Sequence, residues 1–236
     1  MKRFLLLCTC ALVSLCLLPL GGDAAVVVDD EVAVKGEPLT LVAQTKGRFF
    51  GSGGELVEFL MDGVSLGKTL SGGDGFAYRE FTPTKAGMHS ITVISKNESG
   101  HGSLLILKKG ARLVLVDGEG AVMEGRLMGV SREGSQEALR AIVKRYPIVF
   151  VATGLGRRDL KEWLRDHGFI DAPVVDWDDG RVLSDLTGKG FRIRAVIGAA
   201  EVVRQAKGHA QLLLSFEESE GVREVTSWKE IIKKLK

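Results

Sequence analysis

Acidic and hydroxyl side chains follow apolar runs in the second half of the sequence. The run Arg112–Asp117 ends in an acid, Glu119 stands two residues later, and a second apolar run ends just before Thr153. A further run precedes the adjacent acids Glu217 and Glu218. All three cysteines lie within the first sixteen residues. Chemistry in the rest of the chain would therefore depend on carboxylates and on a hard metal ion that prefers oxygen ligands.

The elements that would position these groups alternate between strand and helix over residues 111–236. The expected strands are 112–117, 147–152, 172–175 and 211–216, and the expected helices are 135–145, 158–167, 193–206 and 227–236. Continuous apolar strands that alternate with helices indicate a parallel sheet with crossover helices. Ligands bind at the carboxyl ends of the strands in such sheets. We therefore expect Asp117, Thr153 and the turn 216–218 to share one edge.

The same segments resemble the motifs of the haloacid dehalogenase (HAD) superfamily, in the branch of lipin-like phosphatidate phosphatases. Asp117-Gly118-Glu119-Gly120-Ala121 is similar to the first motif, D-x-D-x-T/V. Residues 150–169 are similar to the second, in which a strand ends in L-T-G/A-R and a helix leads to L-x-x-H-G-F-P. Residues 190–197 resemble the third motif, F-K-I-x-x-L, and residues 212–218 fall where the acidic fourth motif belongs. The resemblance implies a Rossmann-like (HAD-like) α/β domain at 111–236.

The resemblance also implies the chemistry of a phosphomonoester hydrolase. In such a site a carboxylate takes the phosphoryl group, and a second acid two residues later protonates the leaving group. Asp117 would be the nucleophile and Glu119 the acid/base. Thr153, with Gly154 beside it, would hold the phosphoryl oxygens.

A magnesium ion and a basic side chain would complete the site that the resemblance implies. Magnesium takes oxygen ligands and neutralises phosphate charge. Its ligands would be Asp117 with Glu217 or Glu218. The lysine of the third motif is replaced by Arg192, and Lys189, three residues earlier, is the possible substitute.

Four features of the site depart from the family pattern. Glu119 is one methylene longer than the family's aspartate, and Ala121 stands where the motif has Thr or Val. Arg192 replaces a lysine, and the fourth motif holds glutamates without an aspartate. This pattern is expected of a decayed active site, and a retuned enzyme is the alternative.

The first half of the chain reads as a small all-β unit at residues 26–108. Its expected strands are 31–34, 39–44, 56–61, 76–81, 88–95 and 104–107. Short strands separated by turn signals such as Asp62-Gly63 predict a β-sandwich. Residues 58–67 and 74–93 resemble bacterial immunoglobulin-like repeats, which implies a spacer or binding module. Residues 108–110 are the expected joint between the two domains.

Residues 1–24 read as a secretory signal peptide. Lys2 and Arg3 precede an apolar run at 4–20, and small residues follow it, so cleavage is expected near Ala24. An uncleaved membrane anchor is the alternative. Cleavage would remove every cysteine and therefore any disulfide or thiol chemistry. We expect export to the periplasm or the exterior, with no integral membrane span after cleavage.

Composition narrows the class of partner. The chain has 236 residues with 32 basic and 30 acidic side chains, a net charge of +2. A net charge so close to zero gives no sign of the concentrated basic surface that nucleic-acid-binding proteins usually carry, so nucleic acid is not an expected partner. The sequence thus supports two hypotheses. The first is a magnesium-dependent phosphohydrolase of weak activity that acts on a phosphatidate-like or other phosphomonoester. The second is an inactive HAD-like fold that binds a component of the cell envelope or has a structural role there.

Overall fold

The structure of this protein is a computed structural model that describes residues 26–45, 53–124, 129–218 and 220–236. The predicted signal peptide lies outside these residues. Within them, no helix combines the length and the apolar character that crossing a membrane requires.

The first half is a β-sandwich, as predicted. The strands in the described residues are β1 (Val26–Val28), β2 (Glu31–Val34), β3 (Leu39–Thr45), β4 (Leu56–Met61), β5 (Val64–Leu70), β6 (Phe76–Phe81), β7 (Gly87–Ser95) and β8 (Glu98–Leu107). They form one sheet in the order β1-β3-β6 and a second in the order β2-β8-β7-β4-β5. Alternation along the strands fills the space between the sheets. Val57 and Phe59 of β4, for example, are fully buried in that core.

The sequence did not predict the edge strands β1 and β5. Strand β5 reads Val-Ser-Leu-Gly-Lys-Thr-Leu, and its two terminal apolar residues, Val64 and Leu70, are exposed. Strand β5 lies at the edge of its sheet, so it pairs with a neighbouring strand on one side only. A clean alternation of buried and exposed residues is therefore not required there.

The second half contains a parallel sheet, also as predicted. Its strands are β9 (Arg112–Asp117), β10 (Ile148–Ala152), β11 (Val174–Asp176), β12 (Arg192–Gly198), β13 (Ala210–Ser215) and β14 (Arg223–Glu224). The order is β11-β10-β9-β12-β13-β14, and every neighbouring pair is parallel. Strands β9, β10 and β12 are buried over most of their length, which explains their largely apolar sequences.

The helices that cover this sheet are α1 (Ser135–Ile142), α2 (Arg157–Asp166), α3 (Arg181–Gly188), α4 (Ala200–Gln205) and α5 (Trp228–Leu235). Helices α1, α2 and α5 pack on one face through residues such as Leu139, Leu160 and Ile231. Helices α3 and α4 pack on the other face through residues such as Leu183 and Val203.

The predicted helix at residues 193–206 was wrong. The segment splits into β12 and the short helix α4. Ile193, Val196 and Ile197 belong to a strand that pairs with β9 on one side and β13 on the other. A strand buried on both faces is apolar throughout, so hydrophobic periodicity does not separate it from a buried helix. Helix α3, which precedes this strand, was not predicted.

The two halves share a hydrophobic core. Val32, Val34 and Leu105 of the sandwich belong to the same buried cluster as Leu113 and Leu186 of the α/β half. At the predicted joint, the backbone N–H of Gly110 donates to the carbonyl of Gly190 at 2.9 Å. The sandwich is therefore packed against the face of the sheet that α3 and α4 cover.

Candidate functional site

Asp117 ends the central strand β9 and is fully buried. Its Oδ1 accepts hydrogen bonds from the backbone N–H of Gly120 at 2.9 Å and from the Thr153 hydroxyl at 3.1 Å. Its Oδ2 accepts from the backbone N–H of Ala199 at 3.0 Å. Both carboxylate oxygens are thus engaged by donors of the protein itself.

Burial raises the pKa of the Asp117 carboxyl above its usual range, because a charged group loses solvation there. The hydrogen bonds from Gly120, Ala199 and Thr153 lower the pKa and offset part of this effect. The negative charge of nearby Glu119 acts in the same direction as burial.

A single helical turn at Gly118–Val122 places Glu119 beside Asp117. The Asp117 side chain accepts from Gly120 and so caps this turn. Glycine is required at position 120, because a Cβ atom there would lie 2.3 Å from Asp117 Oδ2 and 2.4 Å from the Ala199 nitrogen.

The Glu119 carboxylate lies in a cradle of hydrogen-bond donors between β10 and α2. Its Oε1 accepts from the backbone N–H groups of Gly154 at 3.0 Å and Leu155 at 2.8 Å. The Thr153 N–H lies 3.2 Å from each of its oxygens, and the Thr153 hydroxyl lies 3.1 Å from Oε2. We call these donors of residues 153–155 the anion cradle. Successive N–H groups of this kind form a concavity that favours negative charge.

The cradle exists because β10 stops at Ala152 and α2 starts at Arg157. Gly156 turns the chain between them with φ of 82°, a conformation that glycine adopts without strain. The N–H groups before the first turn of α2 have no intrahelical partners, so they are available to an acceptor.

The structure brings together four of the predicted residues, Asp117, Glu119, Thr153 and Gly154. The single proton of the Thr153 hydroxyl serves one of the two carboxylates at a time. Glu119 was predicted to act as an acid/base toward a leaving group. Its carboxylate accepts from Thr153 and Gly154, the residues that were predicted to hold the phosphoryl oxygens.

Glu217 and Glu218 follow β13, which is two strands away from β9. Glu217 Oε2 accepts from the backbone N–H of Ala200 at 2.9 Å, next to the amide that binds Asp117. Glu218 is exposed. Within the ranges of the chain that are described, no three His, Cys, Asp or Glu side chains are grouped closely enough to hold a metal ion.

These residues do not fit a magnesium ion at Asp117. The strand next to β9 is β12, whose carboxyl end leads into Gly198, Ala199 and Ala200. An acid on this neighbouring strand could meet Asp117 directly, but alanine stands at both positions after the glycine. The Asp117 oxygens accept from N–H and O–H donors of the protein.

The structure does not bring Lys189 and Arg192 to Asp117. Arg192 pairs in register with Arg112, which lies at the opposite end of β9 from Asp117. Arg112 is five strand positions from Asp117, a distance of roughly 16 Å. Lys189 Nζ contacts Glu31 Oε1 at 2.6 Å and the Val32 carbonyl at 2.9 Å, both in the sandwich. Neither basic side chain lies at the edge where phosphate binding was predicted.

Sequence reasoning missed Gly120, Gly198 and Ala199, which shape the pocket of Asp117. A Cβ atom on Gly198 would lie 2.6 Å from the Asp117 Cβ. The available signal was the apolar run Ala195-Val-Ile-Gly198, because a strand that ends in glycine marks the same edge of the sheet as Asp117-Gly118. The helical interpretation of residues 193–206 concealed it.

No protein-family model and no curated protein matches the sequence. Solved structures match over part of the chain. Fibronectin(III)-like modules of Clostridium thermocellum CbhA are 19% identical over 35% of this chain and 97% of theirs, with a TM-score of 0.27. A CARDB domain from Pyrococcus furiosus is 14% identical over 37% of this chain and 94% of its own, with a TM-score of 0.29.

Larger proteins also match over a similar share of the chain. The D00-D0 domain of intimin is 13% identical over 37% of this chain and 51% of that one, with a TM-score of 0.29. This chain spans only 12% of a polysaccharide lyase that is 18% identical over the matched part, with a TM-score of 0.29. Such values assign no activity, ligand or partner to this chain, and the β-sandwich is established by the strand pairing described above.

Proposed function

We propose that this protein is an exported, non-catalytic binding or structural protein of the cell envelope, in which a HAD-like domain has lost phosphatase chemistry. The strand order of the parallel sheet supports the fold assignment. Numbered from β9 as the first strand, the order is 3-2-1-4-5-6, that of doubly wound Rossmann-type sheets.

The position of Asp117 supports the proposal that this site derives from a HAD-type active site. In doubly wound sheets, ligands bind outside the carboxyl ends of the strands where the strand order reverses. This reversal lies between β9 and β12, and Asp117 at the end of β9 bonds there to the amide that follows β12. The edge that resembles a HAD site is therefore the edge where such a sheet binds ligands.

The observation that carries the proposal is the alanine pair after β12. Ala199 and Ala200 occupy the strand end adjacent to Asp117. The next acid in the chain, Glu201, pairs with Arg204, and Glu217 after β13 binds a backbone amide. A metal-dependent phosphoryl transfer needs carboxylates that converge on one cation to neutralise phosphate charge. The described residues offer no such group of three.

The sandwich fits the role of a rigidly attached binding module or spacer. Its β2 and β8 contribute to the hydrophobic cluster of the α/β half, so the two halves are packed against each other. The resemblance of its sequence to immunoglobulin-like repeats supports the same role.

A second candidate function is the weak magnesium-dependent phosphohydrolase. One observation favours it, namely the 3.1 Å hydrogen bond between the Thr153 hydroxyl and Asp117 Oδ1. The predicted nucleophile and the predicted phosphoryl-binding hydroxyl therefore share one site.

Hydrolysis of p-nitrophenyl phosphate in magnesium distinguishes the two candidates. We expect the purified protein and its Asp117→Asn variant to show the same rate, equal to that of buffer, because no carboxylate cluster holds the cation. The control is Asp166→Asn, which removes an exposed acid that pairs with Arg165 on α2. Magnesium-dependent turnover that persists in the control and disappears in Asp117→Asn would establish the phosphohydrolase instead.

A further inference from the structure

The edge at which the parallel strands begin carries exposed arginines with no acid between them. Arg112 and Arg192 start β9 and β12, the two central strands of the sheet, and both side chains are exposed. They are partners in register on neighbouring strands, so two like charges stand side by side. Like charges at neighbouring positions repel each other, and an anion placed between them would relieve the repulsion.

Helix α1 brings two further cations to this edge. It returns the chain from the end of β9 to the start of β10, so Lys144 and Arg145, which follow it, lie where the strands begin, and both are exposed. The guanidinium of Arg112 lies over the ring of the next residue, Tyr146, at 5.5 Å from its centroid. This contact ties the start of β9 to the end of α1.

Helix α5 adds the last two cations. It packs against α1, and Leu235 near its end is buried in the same cluster as Ile142, the last residue of α1. Lys233 and Lys236 lie in and just after its last turn and are exposed. We call these six side chains the basic edge: Arg112, Lys144, Arg145, Arg192, Lys233 and Lys236.

The basic edge has no counterions of its own. None of its six side chains takes part in an ion pair within the part of the chain that the structure describes. The nearby Lys109 and Lys189, by contrast, pair with acids of the sandwich. The helix dipole favours cations at helix ends, which accounts for the lysines. It does not account for Arg112 and Arg192, because these two residues begin strands.

The composition of the basic edge suits an extended anionic surface. Its charges belong to two strands and two helices, so a matching partner presents several negative groups at different positions. Val143, beside Lys144, is 40% exposed, and Tyr146, beside Arg145, is half-buried. Apolar and aromatic side chains among basic ones are typical of protein surfaces that rest on a membrane interface. Arginine forks also match the oxygens of phosphate groups.

We propose that the basic edge docks this protein on a membrane surface that carries anionic phospholipids. Headgroup phosphates lie against Arg112 and Arg192 and neutralise their mutual repulsion. The inference rests on the proposed location in the cell envelope. It concerns the opposite edge of the sheet from Asp117, so phosphatase turnover would contradict the proposed function and leave this inference standing.

Co-sedimentation with vesicles of phosphatidylglycerol and phosphatidylcholine in equal parts tests the proposal. Residues 25–236, the chain after signal cleavage, contain every described element. We expect this chain to bind these vesicles, to ignore vesicles of phosphatidylcholine alone, and to be released by added salt. A basic residue near an anionic membrane changes the affinity about fivefold. Arg112→Gln combined with Arg192→Gln should therefore weaken binding about 25-fold.

The matched control is Arg158→Gln combined with Arg223→Gln. It removes the same charge from exposed positions away from the basic edge, at the start of α2 and opposite Leu214 near the end of β13. The control should bind as the wild type does. Circular dichroism reports whether each variant is folded.

A second pair of substitutions, Lys233→Gln with Lys236→Gln, keeps the test decisive if the arginine variant unfolds, because both lysines are exposed and unpaired among the described residues. It should also weaken binding about 25-fold. Vesicle affinity in the folded test variants that equals that of the control would overturn the proposal. Wild-type binding to soluble dextran sulfate without binding to the vesicles would assign the basic edge to a soluble polyanion, which would overturn it as well.

Discussion

Replacing Asp30 with alanine is expected to lower the free energy of unfolding by about 3 kcal/mol, because this buried acid joins the two halves of the protein. Asp30 lies between β1 and β2, and its side chain is 4% exposed. Its Oδ1 accepts from the Ser103 N–H at 2.7 Å, and its Oδ2 accepts from the Val174 N–H at 2.9 Å. The ammonium group of Lys161 on α2 forms an ion pair with it.

The cost arises from what the substitution leaves behind. Two backbone N–H groups would lose their acceptor in the interface between sandwich and sheet, and each buried donor without a partner costs about 1–3 kcal/mol. Lys161 is one-third exposed and can turn toward water, so it adds less than a fully buried partner would.

Denaturant unfolding measured beside Asp29→Ala checks this prediction. Asp29 is the preceding residue, is about half exposed, and pairs with Arg157 at 3.2 Å. Surface ion pairs of this kind contribute about 0–1 kcal/mol. A similar loss of stability in both variants would show that the buried contacts of Asp30 contribute no more than a surface ion pair.

Replacing Gly198 with alanine is expected to destabilise the protein by about 3 kcal/mol through overpacking. A Cβ atom at this position would lie 2.6 Å from the Cβ of Asp117 and 3.0 Å from its Oδ2. Strands β9 and β12 are central in the sheet and cannot separate without breaking their pairing. The displacement would also disturb the hydrogen bond from Ala199 to Asp117.

The control is Gly188→Ala at the end of α3, where an added Cβ meets nothing within 4 Å. Alanine reduces the freedom of the unfolded chain there, so a gain of about 0.4–1 kcal/mol is expected. Thermal or denaturant unfolding of the two variants gives the comparison. Equal stability of Gly198→Ala and the wild type would mean that Asp117 is not enclosed as described.

The sequence predicted the sandwich and most of the parallel sheet because local patterns specify them. Alternation defines strands such as β4, and apolar runs followed by glycine or an acid define β9 and β10. The segment 193–206 could not be assigned in this way. Whether an apolar run becomes a central strand depends on its neighbours β9 and β13, which are distant in sequence.

The candidate site was predictable only in part, for the same reason. Asp117 ends β9 and Thr153 follows the adjacent strand β10, and their predicted meeting agrees with the hydrogen bond between them. The position of the Glu119 carboxylate depends on the length of its side chain and on the hydrogen-bond donors within its reach. Because β12 was not recognised, the acid position next to Asp117 was sought after β13, and Arg192 was placed at the wrong edge of the sheet.

The most direct test of the central claim, that protein donors and not a cation hold these carboxylates, is a crystal structure of the protein grown with magnesium and phosphate. The account predicts that the Glu119 carboxylate remains within hydrogen-bond distance of the Gly154 and Leu155 amides. It also predicts that Asp117 keeps its bonds to Gly120 and Ala199, with no ion beside it. Magnesium bound by Asp117, with phosphate in the cradle and Glu119 withdrawn, would contradict the account.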